Sequence, residues 1–83
     1  MRNYLLFPNP TNERLELRVE ASLQQHVAVS VLDLSGRTVL ELGAWALLGT
    51  AQNGWNVGTL APGRYLLRIA ATDGTMQLPF IKN

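Results

Sequence analysis

The side chains first considered for catalysis or metal binding are those of His26, Asp33, Asp73 and Ser35. His26 is the only histidine and the chain has no cysteine, so a metal site would need distant carboxylates, and no ligand spacing is present. Both aspartates stand in turn sequences, where aspartate bonds local backbone, and Ser35 has no neighbouring base. The scattered glycines form no phosphate-binding loop. The sequence therefore predicts no catalytic residue, no metal site and no cofactor, with His26 at a solvated strand end.

Two tryptophans, Trp45 and Trp55, are candidates for a ligand platform. An exposed indole stacks well on the apolar face of a sugar or on a peptide. The alternative is that the rings fill the ends of a small apolar core, which we favour for Trp55 because it adjoins a strand-like stretch. Gly43–Asn53 is predicted as a helical turn or an irregular apolar loop, so the role of Trp45 stays open.

Composition narrows the class of protein. The chain has 83 residues, a formal net charge of +1 and 47% hydrophobic residues, which suits one small globular domain. Without cysteine it has no disulfide framework, and without a basic stripe nucleic-acid binding is not expected. The apolar runs Tyr4–Phe7 and Ala44–Leu48 are too short for a signal-peptide core or a membrane span. We expect a module that does not insert into membranes.

Alternation of apolar and polar residues predicts strands through most of the chain. About six or seven short segments of this kind, separated by turn signals, favour an all-β antiparallel β-sandwich. Pro79 cannot donate to a strand ladder, so the last strand is expected at a sheet edge. The predicted strands are Arg14–Glu20, His26–Leu32, Arg37–Leu42, Gly54–Val57, Tyr65–Ala70 and Met76–Lys82, with Ala21–Gln25 as a connection.

Turn chemistry marks two hairpins. Asp33-Leu34-Ser35-Gly36 has aspartate first and glycine fourth, which is typical of a type I turn closed by a glycine bulge. This hairpin, leading into Arg37–Leu42, is the strongest local prediction. Thr72-Asp73-Gly74-Thr75 contains the Asp-Gly dipeptide and predicts a second hairpin.

The stretch Leu60–Tyr65 predicts a corner between two sheets. Pro62 presets φ for a tight turn, and Gly63 would supply the positive φ of a type II turn. A tyrosine just after such a turn, as Tyr65 is, builds the tyrosine corner of Greek-key sandwiches by bonding its hydroxyl to upstream backbone. An ordinary β-turn before an ordinary strand is the alternative, and we favour the corner.

Four motifs stand in a fixed order along the chain. Leu6–Asn12 with the following Leu15 is similar to an opening "(L)YPNPTxxxL", and Val31–Arg37 is similar to a central "LYDLxGR". Leu60–Ile69 is similar to "LpaGiYllkv", and Phe80–Lys82 to a closing "fvk". They are spread from Leu6 to Lys82, so the resemblance involves essentially the whole chain. The sequence thereby resembles the type A C-terminal sorting domain of the Bacteroidetes type IX (Por) secretion system.

The resemblance implies a fold and a function. The fold would be an immunoglobulin-like β-sandwich with Greek-key connections. Residues 1–83 would form a single, non-catalytic domain, cut from the C-terminal end of a longer exported protein with its cargo domain upstream. The cargo would cross the periplasm and be recognised by the type IX outer-membrane translocon. A sortase-like protease would then remove the domain, leaving the cargo at the cell surface or in the extracellular medium.

The resemblance also assigns motif residues, and the chain departs from the family pattern at three places. Asn56 stands where aspartate is commoner, and Pro79 interrupts a terminal strand that is usually rich in lysine or threonine. A single lysine, Lys82, precedes Asn83, so this segment has little basic character. We hypothesise that the translocon recognises the edge of Met76–Asn83 by strand addition. The residues carried over are Pro8, Asn9 and Pro10 in the opening motif, Asp33, Gly36 and Arg37 in the central motif, Gly63 and Tyr65 at the corner, and Phe80, Ile81 and Lys82 at the end.

Two other functions fit a small β-sandwich. One is a carbohydrate- or protein-binding accessory module of a secreted protein, which would expose Trp45 and Trp55 on one surface. The other is a structural spacer, which would have further sequence after Asn83. The four motifs favour the sorting domain over both.

Overall fold

The computed structural model of the chain describes residues 4–72 and 74–83, and the side chains of 22 and 23 are outside that description. Asp73, expected in the second hairpin turn, lies outside the described residues. Every pairing between strands in this described part is antiparallel, which confirms the all-β antiparallel class. The strands of the single sheet are β1 (Tyr4–Phe7), β2 (Arg14–Leu32), β3 (Thr38–Asn56), β4 (Gly63–Ala71) and β5 (Gly74–Lys82).

The long strand β2 organises the sheet. One side of β2 pairs with β3 from Arg14 to Leu32. The other side is shared, because β1 pairs with residues 16–19 and β4 pairs with residues 28–32. Strand β5 pairs with β4 and completes the order β1-β2-β4-β5. When the two halves of β2 and the two halves of β3 are counted separately, the sheet has seven strand segments. The architecture is therefore compatible with the expected sandwich.

Two segments differ from their predictions. Ala21–Gln25 was expected as a connection, but β2 continues through it, and only its pairing with β3 is interrupted between Ala21 and Gln25. Gly43–Asn53 was expected as a helical turn or loop, but it lies inside β3. Because the run within this segment is apolar throughout, the sequence does not show which of its side chains face the core. Pairing with β2 determines this. Within the run, Leu47 is buried and Leu48 is exposed.

The core is built from the alternating faces that the sequence predicts. Inward residues of β2 are almost completely buried on both sides of the interruption, and β-branched and leucine side chains dominate. Burying each such side chain contributes about 1.5–3 kcal/mol relative to exposure. The buried core includes Leu15, Leu17, Val19, Val27, Val29 and Val31 of β2, Leu47 and Trp55 of β3, Leu67 and Ile69 of β4, and Leu78 and Phe80 of β5.

Candidate functional site

The opening motif is hydrogen-bonded to the terminal strand. The Asn9 side chain accepts a bond from the Ile81 amide at 2.9 Å through Oδ1 and donates a long bond of 3.5 Å to the Pro79 carbonyl. The Thr11 amide donates to the Ile81 carbonyl at 2.9 Å, and the Asn83 amide donates to the Thr11 carbonyl at 2.8 Å. Asn9 and Thr11 therefore form an edge clamp on β5.

The edge clamp changes the picture of the terminal edge. Pro79 is on an edge strand as predicted, because β5 pairs with β4 alone among the strands. Pro79 has no amide hydrogen, and the outward backbone groups of Ile81 are taken by the clamp. Outward groups alternate along an antiparallel strand, so Thr75 and Gln77 carry the remaining ones. The open edge expected along Met76–Asn83 is thus restricted to the part before Pro79.

Thr11 is held in place from both sides. Thr11 is only 1% exposed to solvent, and its hydroxyl donates to the Arg14 carbonyl at 2.6 Å. Its backbone forms an isolated parallel bridge with Lys82. Pro8 and Pro10 flank Asn9 and are exposed, each following a cis peptide bond. Thr11 belongs to the opening motif but was not among the expected site residues, although its place after the second proline was a signal for it.

Tyr65 makes the hydrogen bond predicted for a tyrosine corner, although the described strands form one sheet and not the two that the prediction joined. Its hydroxyl donates to the Ala61 carbonyl, four residues upstream, at 2.6 Å. Its half-buried ring stacks on Phe80 with a centroid separation of 5.8 Å and an interplanar angle of 26°. Stacking of this kind adds about 0.5–1.5 kcal/mol beyond area burial. The corner and the terminal motif are thereby joined directly.

The turn predicted at Pro62-Gly63 is wrong in type and position. Gly63 has the expected positive φ, but its value of 157° differs from the about +80° that a type II turn needs at that position. The chain turns earlier, where the Leu60 amide donates to the Val57 carbonyl at 3.1 Å. Gly63 already belongs to β4 and pairs with Lys82. Its positive φ, which other residues rarely adopt, explains a glycine at this motif position even though no turn is centred there.

The central motif closes the β2–β3 hairpin as predicted. The Gly36 amide donates to the Asp33 carbonyl at 3.0 Å, and Gly36 has the φ of 90° that a glycine bulge requires. The Asp33 carboxylate accepts bonds from the Ser35 hydroxyl at 2.5 Å and amide at 3.0 Å. It also accepts from the Arg37 amide at 3.1 Å and guanidinium at 3.2 Å. Asp33 and Arg37 therefore act together on the turn geometry.

These bonds favour the ionised form of the Asp33 carboxyl. The Ser35 hydroxyl is the main cause that lowers the pKa of the Asp33 carboxyl below its ordinary value, and partial burial opposes it. The amides of Arg37 and Ser35 and the positive charge of Arg37 lower this pKa further. All stabilise the ionised form, which the turn needs as an acceptor. Asp33 is therefore the ionised centre of the hairpin turn.

The three residues of the terminal motif differ in exposure. Phe80 is 1% exposed and Lys82 is 8% exposed, whereas Ile81 is 43% exposed. The Lys82 ammonium donates to the main-chain oxygen of Asn83 at 3.0 Å. The aliphatic part of the Lys82 side chain is therefore buried, while its charged group is hydrogen-bonded to Asn83. Ile81 is therefore the terminal-motif side chain that projects furthest into solvent.

A shallow groove of about 340 Å³ lies where the motifs meet. It is called the motif groove here. It brings together four expected site residues, Asn9, Tyr65, Phe80 and Ile81, while the other expected residues do not line it. Leu34 and Arg64 were not expected, although each lies inside a recognised motif. The full lining is Asn9, Leu34, Arg64, Tyr65, Pro79, Phe80 and Ile81.

The tryptophans pack on each other. Trp55 is buried as favoured, and Trp45 is half-buried against it, edge to face, with centroids 5.7 Å apart. A buried Trp55 ring does not offer the exposed face that a two-tryptophan platform needs. The described part of the chain contains no group of three or more His, Cys, Asp or Glu able to hold a metal. His26 is exposed as expected, but it lies within β2 and not at a strand end, because the strand continues through the expected connection. No helix within the described residues is long and apolar enough to cross a membrane.

A family model described as a secretion system C-terminal sorting domain matches residues 5–83. The match contains all four motifs, the edge clamp and the motif groove. The chain belongs to this family. Its members are the C-terminal sorting domains of the type IX, or Por, secretion system. This is a family of sorting signals and not a known enzyme family. A search of curated proteins found no match to the chain.

Family membership gives a coarse function. A C-terminal type IX sorting signal interacts with the type IX machinery and serves a cargo upstream of it. The destination implied is the cell surface or the extracellular space.

Proposed function

We propose that this domain is an export signal that the type IX outer-membrane translocon recognises in its folded form. Its cargo, upstream in the same chain, passes through the periplasm with it. A sortase-like protease then removes the domain, and the cargo stays at the surface or leaves the cell. The domain itself does no catalysis in this scheme.

One observation supports recognition of the folded form. Residues from all four family motifs, far apart in the sequence, line the motif groove. The edge clamp fixes the opening motif against β5, and Tyr65 fixes the corner against Phe80. An unfolded tail would present Phe80 and Lys82 to solvent, whereas the folded domain buries both and presents Ile81.

Proteolytic removal is compatible with this fold. Strand β1 begins at Tyr4 and pairs with the first half of β2. Cleavage ahead of Tyr4 would therefore leave every described strand pairing intact. The released domain would remain a folded unit, separate from its cargo.

The test is a reporter export assay. A fluorescent protein with a general secretory signal carries residues 1–83 at its C-terminus and is expressed in a bacterium with a type IX system. Fluorescence in the medium and at the surface is compared with that in the periplasm, and a strain without the translocon is the control. Translocon-dependent export with loss of the domain is expected. Retention of a folded, intact fusion in the periplasm would contradict the proposal.

A matched pair of variants tests the recognised face. Deleting Phe80–Asn83 is too disruptive, because Phe80 is a core residue and Ile81 and Asn83 belong to the clamped edge. Ile81→Asp changes an exposed side chain in the motif groove, and Leu48→Asp changes an exposed side chain on β3. We expect Ile81→Asp to retain the reporter in the periplasm and Leu48→Asp to export it. Equal export of the two folded variants would place recognition elsewhere.

A further inference from the structure

The motif groove has an apolar rim. Five large hydrophobic side chains are exposed among the described residues, and two of them, Leu34 at 65% and Ile81 at 43%, line this groove. The rings of Tyr65 and Phe80 also line it. Exposed apolar side chains that cluster in a concave site mark an interaction surface more often than scattered ones do.

One cation in the groove has no counter-charge in the described chain. Arg64 is exposed, and it belongs to neither of the ion pairs Arg14–Glu16 and Arg37–Asp33. The lining contains no aspartate or glutamate. An arginine beside an apolar surface is suited to bidentate contact with a carboxylate.

The other polar groups of the groove are already in use. Both ends of the Asn9 side-chain amide are bonded to β5, and the Tyr65 hydroxyl hydrogen is donated to Ala61. The edge clamp and Pro79 also close this part of β5 to strand addition. We therefore expect recognition in the groove to come from side chains, with Arg64 as the charged donor.

The spacing of Arg64 and Ile81 defines the partner. They are directly opposite each other on β4 and β5, so their Cβ atoms are about 4.5–5.5 Å apart. A segment that contacts both side chains needs its apolar and acidic groups close together. In an extended chain, side chains two positions apart share a face and meet this requirement.

We propose that the motif groove binds an extended segment of a partner protein, with an apolar side chain on Leu34 and Ile81 and a carboxylate on Arg64. The proposal rests on the proposed function, since the partner would belong to the export machinery. An apolar residue followed two positions later by aspartate or glutamate is the sequence pattern expected in that partner.

Amide chemical-shift titration of the 83-residue chain tests the proposal. The probes are two capped tripeptides, acetyl-Leu-Ser-Glu-amide and acetyl-Leu-Ser-Gln-amide, which differ only in the carboxylate. We expect shifts centred on Leu34, Arg64 and Ile81, and about fivefold weaker binding of the glutamine peptide, the effect of an ion pair worth ~1 kcal/mol. Shifts centred elsewhere, equal binding of both peptides, or no saturable binding would overturn the proposal.

Variants separate the two parts of the site. Arg64→Gln should remove the preference for the glutamate peptide, while Arg18→Gln, at an exposed arginine outside the groove, should keep it. Ile81→Ser should weaken binding of both peptides. Groove signals that shift with protein concentration alone would assign the groove to a second copy of this chain and contradict a partner segment.

The reporter assay distinguishes failure of this inference from failure of the proposed function. If the unmodified fusion is exported and Arg64→Gln is exported equally well, the groove inference falls and the sorting function stands. If the unmodified fusion is not exported, the sorting function falls whatever the peptides do. We expect the unmodified and Arg18→Gln fusions to be exported, and Arg64→Gln to be exported several-fold less.

Discussion

The edges of β5 and β3 are protected in different ways. Around Pro79–Asn83, the β5 edge is covered by the edge clamp of Asn9 and Thr11. Strand β3 has 19 residues and pairs only with β2 in the described sheet, so its other edge is open. Glu41 is the one charged residue in Thr38–Asn56. A long edge with little charge is a site for pairing with another chain.

Irregularities in its own backbone protect the edge of β3 from pairing with another chain. Its register with β2 shifts in three places, and Gly43 and Gly49 adopt positive φ angles of 93° and 64° beside two of them. Bulges and twists of this kind discourage edge pairing. The Gly54 amide also bonds its neighbour Asn53 at 2.8 Å. The comparison teaches that the distant opening motif protects the terminal strand, while β3 depends on its own backbone.

The largest expected effect comes from removing the ring beneath the covered edge. Phe80→Ala should lower the free energy of unfolding by about 3–5 kcal/mol, because a buried ring is lost and Tyr65 loses its stacking partner. Leu48→Ala, at a 68% exposed position on β3, should stay within about 0.5 kcal/mol of the unmodified chain. Urea denaturation measures both, and similar losses would remove the distinction between the edges.

Thr11→Val should cost less. It keeps the backbone bonds of the edge clamp but leaves the Arg14 carbonyl without the Thr11 hydroxyl. We expect a loss of about 1–2 kcal/mol in unfolding free energy, since Thr11 is buried. Thr50→Val, at an exposed position on β3, is the control and should change stability little. An unchanged Thr11→Val stability would mean that this hydroxyl does not hold the clamp.

Asn9→Ala should open the β5 edge without unfolding the domain. It removes the acceptor of the Ile81 amide. We therefore expect the free energy that protects this amide from hydrogen exchange to fall by about 1 kcal/mol, so that exchange becomes roughly fivefold faster. Exchange of the Trp55 amide on β3 should not change. Asn9→Asp keeps an acceptor oxygen and should restore most of the protection. Hydrogen exchange followed by NMR measures all three, and unchanged Ile81 exchange would contradict the edge clamp.

Gln52→Lys should act on association rather than on stability. It adds charge to the exposed face of β3, and its unfolding free energy should stay within about 0.5 kcal/mol. We expect less self-association in sedimentation experiments at high concentration, because a charged edge pairs poorly. Gln77→Lys on β5 is the matched control and should have the smaller effect. A larger decrease in self-association for Gln77→Lys than for Gln52→Lys would instead identify β5 as the edge that pairs more readily.

The smallest expected effect is on pH dependence. The pKa of the Asp33 carboxyl is lower in the folded chain than in the unfolded chain, where it is about 3.9. The ionised carboxylate therefore stabilises the fold above a pH of about 3.9, and this stabilisation is lost as pH falls through the folded pKa. Loosening of this turn should speed amide exchange at Thr38, where β3 begins, and leave Ile81 on β5 unaffected. Asp33→Asn should remove this pH dependence at Thr38. An identical acid profile in that variant would assign it to another group.

Local features of the fold could be predicted from the sequence. Period-two alternation located the inward faces of β2, and turn chemistry located the Asp33 hairpin. Each depends on residues within a few positions of one another. The tyrosine corner was predicted for the same reason, since Tyr65 bonds a carbonyl four residues away.

The remaining features depend on contacts that no local pattern encodes. The course of β3 through Gly43–Asn53 is set by pairing with β2, which overrides the ambiguous apolar run. The edge clamp joins Asn9 to Ile81, so the open terminal edge expected from β5 alone was incomplete. Arg64 and Leu34 lie inside recognised motifs, but no local pattern distinguishes them from their neighbours there, and they became candidates only through the shape of the motif groove.

The edge clamp also has a consequence for the order of folding. Asn9 and Ile81 are 72 positions apart, so closing their contact costs more chain entropy than closing the β2–β3 hairpin. Contacts of such high sequence separation form slowly, after local hairpins. Asn9 also leaves the ribosome long before Ile81 does. The motif groove is therefore completed only after the terminal strand has been synthesised, and a truncated product without that strand would carry no finished export signal.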